Sequence, residues 1–343
     1  MILSCYVEIT NRCNLNCRHC YNASGSKREL QEIPADELEK FLVAFHQRYG
    51  LSIFDISGGE PLLHRQWGQV LDVMEKHKEL SFFVVTNGTV RCDRFYRLLE
   101  TDDRFSVQFS IDGIDDETNA RVREKGSYMK TMRNLSSFQP KVSPIIKMTV
   151  SRLNFSLIEE YFVLAIENNC KPSFAFAEKM GHADRYWREI ELTPEEKLKV
   201  IEKIEKLQEK YGIKTTVPYA TFNCSIINLD RLSICVKSNG DIQPCQNLYE
   251  PEFSVGSLYR LDFDSMEEKL KELQSLLSER QKSDYGCHKC ISKNLCGRGC
   301  AASAYHLTKD YLADDGDCNF RKLQISRQVA KNVLTMRRED LHA

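Results

Sequence analysis

The sequence predicts an α/β protein: a partial (β/α)6 TIM-like barrel followed by a small C-terminal Cys-rich domain made of a β-hairpin plus helices. Three observations carry this. Six apolar, β-rich runs recur at intervals suited to strand–helix units. Helical stretches with three-and-four apolar spacing lie between them. Beyond about residue 218 the alternation stops and cysteines become dense. Six units are too few for a closed eight-stranded barrel, which leaves a lateral mouth for a bulky substrate.

In chain order, the strand candidates are LSCYVEIT from Leu3, LSIFDIS from Leu51, LSFFVVT from Leu80, FSVQFSID from Phe105, IIKMTVS from Ile145 and SFAFAE from Ser173. Their near-continuous hydrophobicity predicts a parallel sheet covered on both faces. PADELEKFLVAFHQRY, RQWGQVLDVMEKHK and SLIEEYFVLAIENN carry core-facing apolar stripes, and Pro34 suits a first helical turn. A further amphipathic helix, TPEEKLKVIEKIEKLQEKYG, starts near Thr193. Residues 1–218 are expected to form the barrel and residues 219–343 the cysteine-rich domain with its terminal helix. No Ser/Gly-rich linker separates them, so close docking is expected. Within the second part, SNGD from Ser238 to Asp241 reads as a two-residue hairpin turn that aims Cys245 from the end of its strand.

Composition narrows the function. The 343 residues hold 48 basic and 49 acidic side chains, a formal charge of −1, which gives no electrostatic reason to expect binding to nucleic acid or an anionic membrane. The N-terminus lacks a signal sequence and no apolar run approaches a membrane span, so a cytoplasmic location is expected. In that setting fourteen cysteines point to reduced, metal-binding use rather than disulfides.

Cys13, Cys17 and Cys20, in TNRCNLNCRHCYN, are spaced C-x3-C-x2-C on the loop after the first strand. Three thiolates leave one iron of a cubane cluster open to a small molecule, whereas structural sites normally close with four protein ligands. Ser57-Gly58-Gly59-Glu60-Pro61 follows the second strand. It reads either as a tight βα turn or as a place where backbone approaches a ligand and Glu60 accepts from an ammonium group. Thr86-Asn87-Gly88 and Ser110-Ile111-Asp112-Gly113 end the next two strands on the same rim. Arg123 could pair with a carboxylate, and Arg121 is its alternative. His64, His182 and the other histidines lack ligand-like spacing and read as surface or core residues.

The C-terminal third carries Cys224, Gly240 and Cys245, then Cys287-x2-Cys290-x5-Cys296-x3-Cys300, then Cys318. On spacing alone, Cys287, Cys290, Cys296 and Cys300 could form a zinc knuckle. Cys5, Cys92 and Cys170 read as buried thiols within βα elements.

Taken together, these motifs resemble the radical S-adenosylmethionine (radical SAM) superfamily with a C-terminal SPASM extension, over most of the chain from Cys13 to Cys318. The resemblance implies a [4Fe–4S] cluster on Cys13, Cys17 and Cys20, with Tyr21 the aromatic that follows. It implies S-adenosylmethionine contacts from Gly58, Gly59, Glu60, Pro61, Thr86, Asn87, Ser110, Asp112 and Arg123. It further implies two auxiliary [4Fe–4S] clusters, three clusters in all. Cys287, Cys290, Cys296 and Cys318 would bind one, and Cys224, Cys245 and Cys300 the other. An eighth auxiliary ligand would be Cys235, Asp230 or substrate, or that iron would stay open.

The implied activity is reductive cleavage of S-adenosylmethionine to a 5′-deoxyadenosyl radical that abstracts hydrogen from a peptide or protein side chain. The product would be a thioether, a carbon–carbon bond or another oxidised group in a ribosomally made peptide. An electron donor such as flavodoxin or ferredoxin is implied. Twelve residues precede Cys13, so a leader would be bound by a separate peptide-recognition protein or by the barrel itself. Other readings are a sulfatase-maturing enzyme, disfavoured because Gln246 stands where those enzymes commonly have Asp, a small-molecule enzyme acting on a tetrapyrrole, and a non-catalytic metal-stabilised scaffold. The scaffold leaves the three-cysteine loop without a purpose.

Overall fold

The computed structural model describes residues 2–26, 29–228, 232–282, 287, 289, 290, 292 and 295–340. Six strands alternate with helices: β1 (Ile2–Thr10), α1 (Ala35–Tyr49), β2 (Ile53–Gly58), α2 (Trp67–Lys76), β3 (Ser81–Thr86), α3 (Asp93–Thr101) and β4 (Phe105–Ser110). The series continues through α4 (Asp116–Ala120), α5 (Ser127–Leu135), β5 (Ile145–Val150), α6 (Ile158–Glu167), β6 (Lys171–Phe176), α7 (His182–Ile190) and α8 (Pro194–Tyr211). All six strands pair in parallel with their sequence neighbours, as right-handed strand–helix units require. Pro34 immediately precedes α1, and α8 opens on a capping box between Thr193 and Glu196.

The sheet is covered differently from the expectation. Phe54 and Ile56, Phe82 and Val84, and Ile146, Met148 and Val150 are buried in one core with Leu38, Phe41, Phe45, Val70 and Phe162 of the helices. The opposite face carries Tyr6, Asp55, Ser57, Phe83, Gln108, Ser110, Lys147 and Thr149 around a cavity. Helices therefore cover one face only. The strands alternate, and the polar members were masked by apolar neighbours facing outward.

The sheet also does not end at β1. After α8 come β7 (Leu232–Val236), β8 (Asp241–Gln243), β9 (Gly256–Ser257), α9 (Phe263–Lys282), α10 (Ala301–Thr308) and α11 (Cys318–Asp340). β7 pairs in parallel with β1, and β8 and β9 add antiparallel strands, giving the order β6-β5-β4-β3-β2-β1-β7-β8-β9. The hairpin thus protects an edge that β1 would otherwise expose. Its turn is a three-residue loop rather than the two-residue turn expected, closed by Lys237 N to Asp241 O at 2.8 Å. Asn239 accepts from Asp241 N through its side chain, and only Gly240 takes a left-handed backbone, with φ 88°. No helix among the described residues is long and apolar enough to cross a membrane. None of the fourteen cysteines is joined in a disulfide.

Candidate active site

The loop after β1 is held by backbone on three sides. Gly58 has φ 146°, and a Cβ there would lie 2.2 Å from Thr10 O; one on Gly59 would lie 2.3 Å from Arg12 O. Gly59 N and Glu60 N donate to Thr10 O and Arg12 O, each at 2.7 Å. The paired glycines therefore let two loops touch, as well as lining the cavity. From another side Arg18 N donates to Val122 O at 2.9 Å, and from a third His182 N donates to Cys20 O at 2.8 Å.

So fixed, Cys13, Cys17 and Cys20 line one cavity of about 490 Å³ with Tyr21, Gly58, Gly59, Thr86, Asn87, Ser110 and Arg123. Arg123 Nη1 lies 3.7 Å from Cys17 Sγ, and Asn87 Nδ2 lies 4.0 Å from Cys13 Sγ. Arg121 is on the surface, paired with Glu117 at 3.3 Å, so Arg123 is the arginine that reaches the cavity. Burial pushes the Cys13 thiol up to about 11 and Cys17 up to about 12. A bound metal cation would offset that cost by taking the proton's place.

Glu60, Pro61 and Asp112 do not line the cavity; they stand behind it. Glu60 is fully buried and accepts from Thr86 Oγ1 and Asn87 N, each at 2.7 Å, and from Leu62 N at 3.3 Å. It is a post for the Thr86-Asn87 loop. Asp112 is also fully buried. Burial alone would raise its pKa, but Arg123 and His19 outweigh it and hold the carboxyl down at about 2.

His19 is the residue the sequence reading missed. It lines the cavity, with Nε2 2.7 Å from Asp112 Oδ2. The available signal was its place between Cys17 and Cys20, in a loop too short to turn every side chain away from the cluster position.

Tyr21 joins the barrel to the C-terminal part. Its hydroxyl donates to Glu8 Oε1 at 3.1 Å and accepts from Gln246 Nε2 at 2.8 Å, while Lys237 Nζ binds the same Glu8 oxygen at 2.7 Å. Nearby, Cys245 is half-buried, and desolvation, with the neighbouring Cys300 and Cys224 thiols, pushes it up to about 12. Cys235 lies within β7, fully buried. Asp230 lies outside the described residues.

Cys287, Cys290, Cys296 and Cys318 wall a second, smaller cavity with Arg280, Arg298, Arg321 and Lys322. Among the described residues no three or more His, Cys, Asp or Glu side chains gather closely enough for a single metal ion. A ring of thiols around a cavity suits a cubane, whose ligand sulfurs stand farther apart than the thiolates on one zinc ion. Arg321 supports that fit: the residue is 1% exposed, and its Nε has no hydrogen-bond partner among the described residues. A buried donor of this kind is stabilised by an acceptor such as a cluster sulfur. At the first site the equivalent fit is Arg123 and Asn87 facing thiol sulfurs.

Residues 7–150 match the radical SAM superfamily. Among curated proteins, the chain is 23% identical over 321 residues to the mycofactocin maturase MftC of Mycolicibacterium smegmatis, covering 91% of this chain and 81% of that protein. It is 27% identical over 342 residues to the AdoMet-dependent heme synthase of Methanosarcina barkeri, covering 92% and 95%. Among solved structures, Streptococcus suis SuiB bound to its precursor peptide SuiA superposes with a TM-score of 0.73 at 15% identity over 92% of this chain and 75% of that one. The AdoMet-bound enzyme anSMEcpe gives 0.73 at 19% identity over 96% and 99%.

Proposed function

This chain belongs to the radical SAM superfamily through residues 7–150, and on that premise we propose that it cleaves S-adenosylmethionine reductively and uses the resulting radical to modify a ribosomally made peptide. The carrying observation is one cavity walled by three cysteines that lack a fourth, by the Gly58-Gly59 backbone and by Arg123. A [4Fe–4S] cluster held by Cys13, Cys17 and Cys20 would supply the electron that splits the C–S bond of S-adenosylmethionine, giving methionine and a 5′-deoxyadenosyl radical.

The chain's own residues orient and enclose. Arg123, fixed by Asp112, offers its guanidinium to the cofactor carboxylate. Backbone at Gly58 and Gly59, with Thr86, Asn87 and Ser110, surrounds the remainder, and Tyr21 closes the cavity toward the C-terminal part. Cys224, Cys245 and Cys300 would hold one further cluster and Cys287, Cys290, Cys296 and Cys318 another. A reductant of the flavodoxin or ferredoxin class would supply the electron. Peptide maturases among the relatives support the substrate class.

One observation favours a second reading, a modified tetrapyrrole as substrate: the chain spans 95% of the heme synthase relative but 81% of MftC and 70% of the subtilosin biosynthesis protein AlbA of Bacillus subtilis. A sulfatase-maturing role has less support. Gln246, bound to the Tyr21 hydroxyl, is a neutral amide and cannot serve as a base.

The test is anaerobic reconstitution followed by measurement of 5′-deoxyadenosine under strong reductant. Cleavage with full iron loading is expected, and its absence would overturn the reading. Candidate peptides from short reading frames beside this one, assayed against a tetrapyrrole, separate the two substrate classes.

A further inference from the structure

β5 carries a lysine where its neighbours would lead one to expect an apolar or small residue. Along Ile145–Val150, Ile146, Met148 and Val150 are buried on the helix side. Lys147 and Thr149 face the cavity. A long cation half-buried inside a parallel barrel is unfavourable unless something answers its charge. Burial lowers the Lys147 pKa, against the pull of Glu178, Asp112 and Asp55.

These carboxylates act on Lys147 through space only, and none of the described side chains forms a hydrogen bond or ion pair with it. Lys147 is bonded across the sheet to serines, in register with Ser110 on β4 and Ser173 on β6. Among the described residues its ammonium forms no ion pair or hydrogen bond, and the Asp55 carboxylate, on β2, forms none either. The other charged groups at the cavity have hydrogen-bond partners of their own, although Glu178's is a neutral amide and its charge still acts on Lys147. Arg123 and His19 share Asp112, and Glu178 Oε2 accepts from Asn247 Nδ2 at 2.7 Å. Burial pushes Asp55 up to about 6, moderated by Lys147. Lys147 and Asp55 thus face the same enclosed volume, deeper along the strands than the cysteine rim, with opposite charges and, among the described residues, no hydrogen-bonded partner.

We infer that Lys147 and Asp55 are specificity-determining residues that read the substrate: Lys147 takes a carboxylate of the peptide, and Asp55 takes a hydrogen-bond donor beside it. This rests on the peptide-modifying reading above and narrows it to a segment presenting an acidic side chain or a terminal carboxylate. A charge-assisted hydrogen bond in an enclosed site discriminates a carboxylate from its amide by about tenfold or more.

The reconstituted enzyme, saturated with S-adenosylmethionine, is offered three probes in ligand-observed NMR: Ac-Ala-Glu-Ala-NH2, Ac-Ala-Gln-Ala-NH2 and Ac-Ala-Gln-Ala with a free carboxylate end. At least one carboxylate peptide should bind about tenfold more tightly than the neutral one, and which of the two does so identifies the source of the carboxylate. The preference should vanish in Lys147→Met and persist in Lys147→Arg, which also shows that the site still folds. Equal binding of all three peptides overturns the inference. So does a preference that survives in Lys147→Met, or a loss of S-adenosylmethionine affinity in that variant as large as the loss of peptide. Failure of the unaltered enzyme to form 5′-deoxyadenosine would instead defeat the underlying reading, whatever the peptides do.

Discussion

Asp112 ties Arg123 to His19: its Oδ2 lies 2.5 Å from Arg123 Nε and 2.7 Å from His19 Nε2, and its Oδ1 accepts from Thr149 N at 2.7 Å. One buried carboxylate therefore sets the aim of two cavity side chains from different loops and ties both to β5. Neither Arg123 nor His19 is positioned by the cofactor it would meet. Such preorganisation lowers the entropy lost when a ligand binds.

Replacing Asp112 by Asn should destabilise the protein by about 3 kcal/mol at neutral pH, because it removes the compensating charge and leaves Arg123 buried beside a neutral amide. The pH dependence has a definite sign. The folded-state pKa, about 2, is depressed, so the contribution is present above the ordinary carboxylate value and is lost as pH falls from about 4 toward 2. Denaturant unfolding of both proteins across that window checks it. A gap that stays constant with pH would show that Asp112 is not the group responsible.

Gly58→Ala tests the contact that fixes the cysteine loop. With φ 146° and Thr10 O only 2.2 Å from the new Cβ, either the backbone of β2 or the loop must move. A loss of at least about 2 kcal/mol is expected. Because Thr10 leads into Cys13, the cofactor affinity of the reconstituted variant should fall as well. Gly50→Ala is the control, since its Cβ meets nothing within 4 Å at φ 67°. A melting curve and an S-adenosylmethionine titration on both variants decide the matter; equal effects would make backbone strain, not the loop contact, the cause.

Glu205 on α8 anchors α11. Its carboxylate receives Arg327 Nη1 at 3.1 Å, Lys331 Nζ at 2.8 Å and the Tyr219 hydroxyl at 2.9 Å. The Arg327 bond first, against the effect of burial, lowers its pKa to about 2. Glu205→Gln should weaken this docking by about 1 to 2 kcal/mol, discounted for partial exposure. The native advantage should fade as pH drops from about 4 to 2 and diminish in high salt. Faster hydrogen exchange of α11 amides in the variant is the readout, and unchanged exchange would refute it.

The strands, the main helices and the cysteine loop were legible because each has a local signature: continuous β-branched runs, three-and-four spacing, C-x3-C-x2-C. The polar inner face was not. Asp55, Gln108 and Lys147 each interrupt an apolar run once, and only the parallel register shows that they converge. The pairing of β7 with β1 was equally hidden, since contacts between residues more than two hundred positions apart leave no periodic trace. Glu60 shows a subtler limit. Its motif marked it for the cofactor, while its carboxylate is engaged in holding Thr86 and Asn87.

The two cysteine arrays should be separable by substitution. Cys17 lines the large cavity beside Arg123, whereas Cys290 lines the smaller cavity with Arg280 and Arg321. If the first array holds the cluster that opens the cofactor, Cys17→Ala abolishes 5′-deoxyadenosine formation. Cys290→Ala should keep some cleavage but lose the modified product. Metal binding also contributes to folding, so Cys290→Ala should yield less soluble protein. Iron content, spectra and yield measured with both assays distinguish a missing cluster from a misfolded chain. Equal residual turnover of substrate in both variants would mean that the arrays do not divide the work in this way.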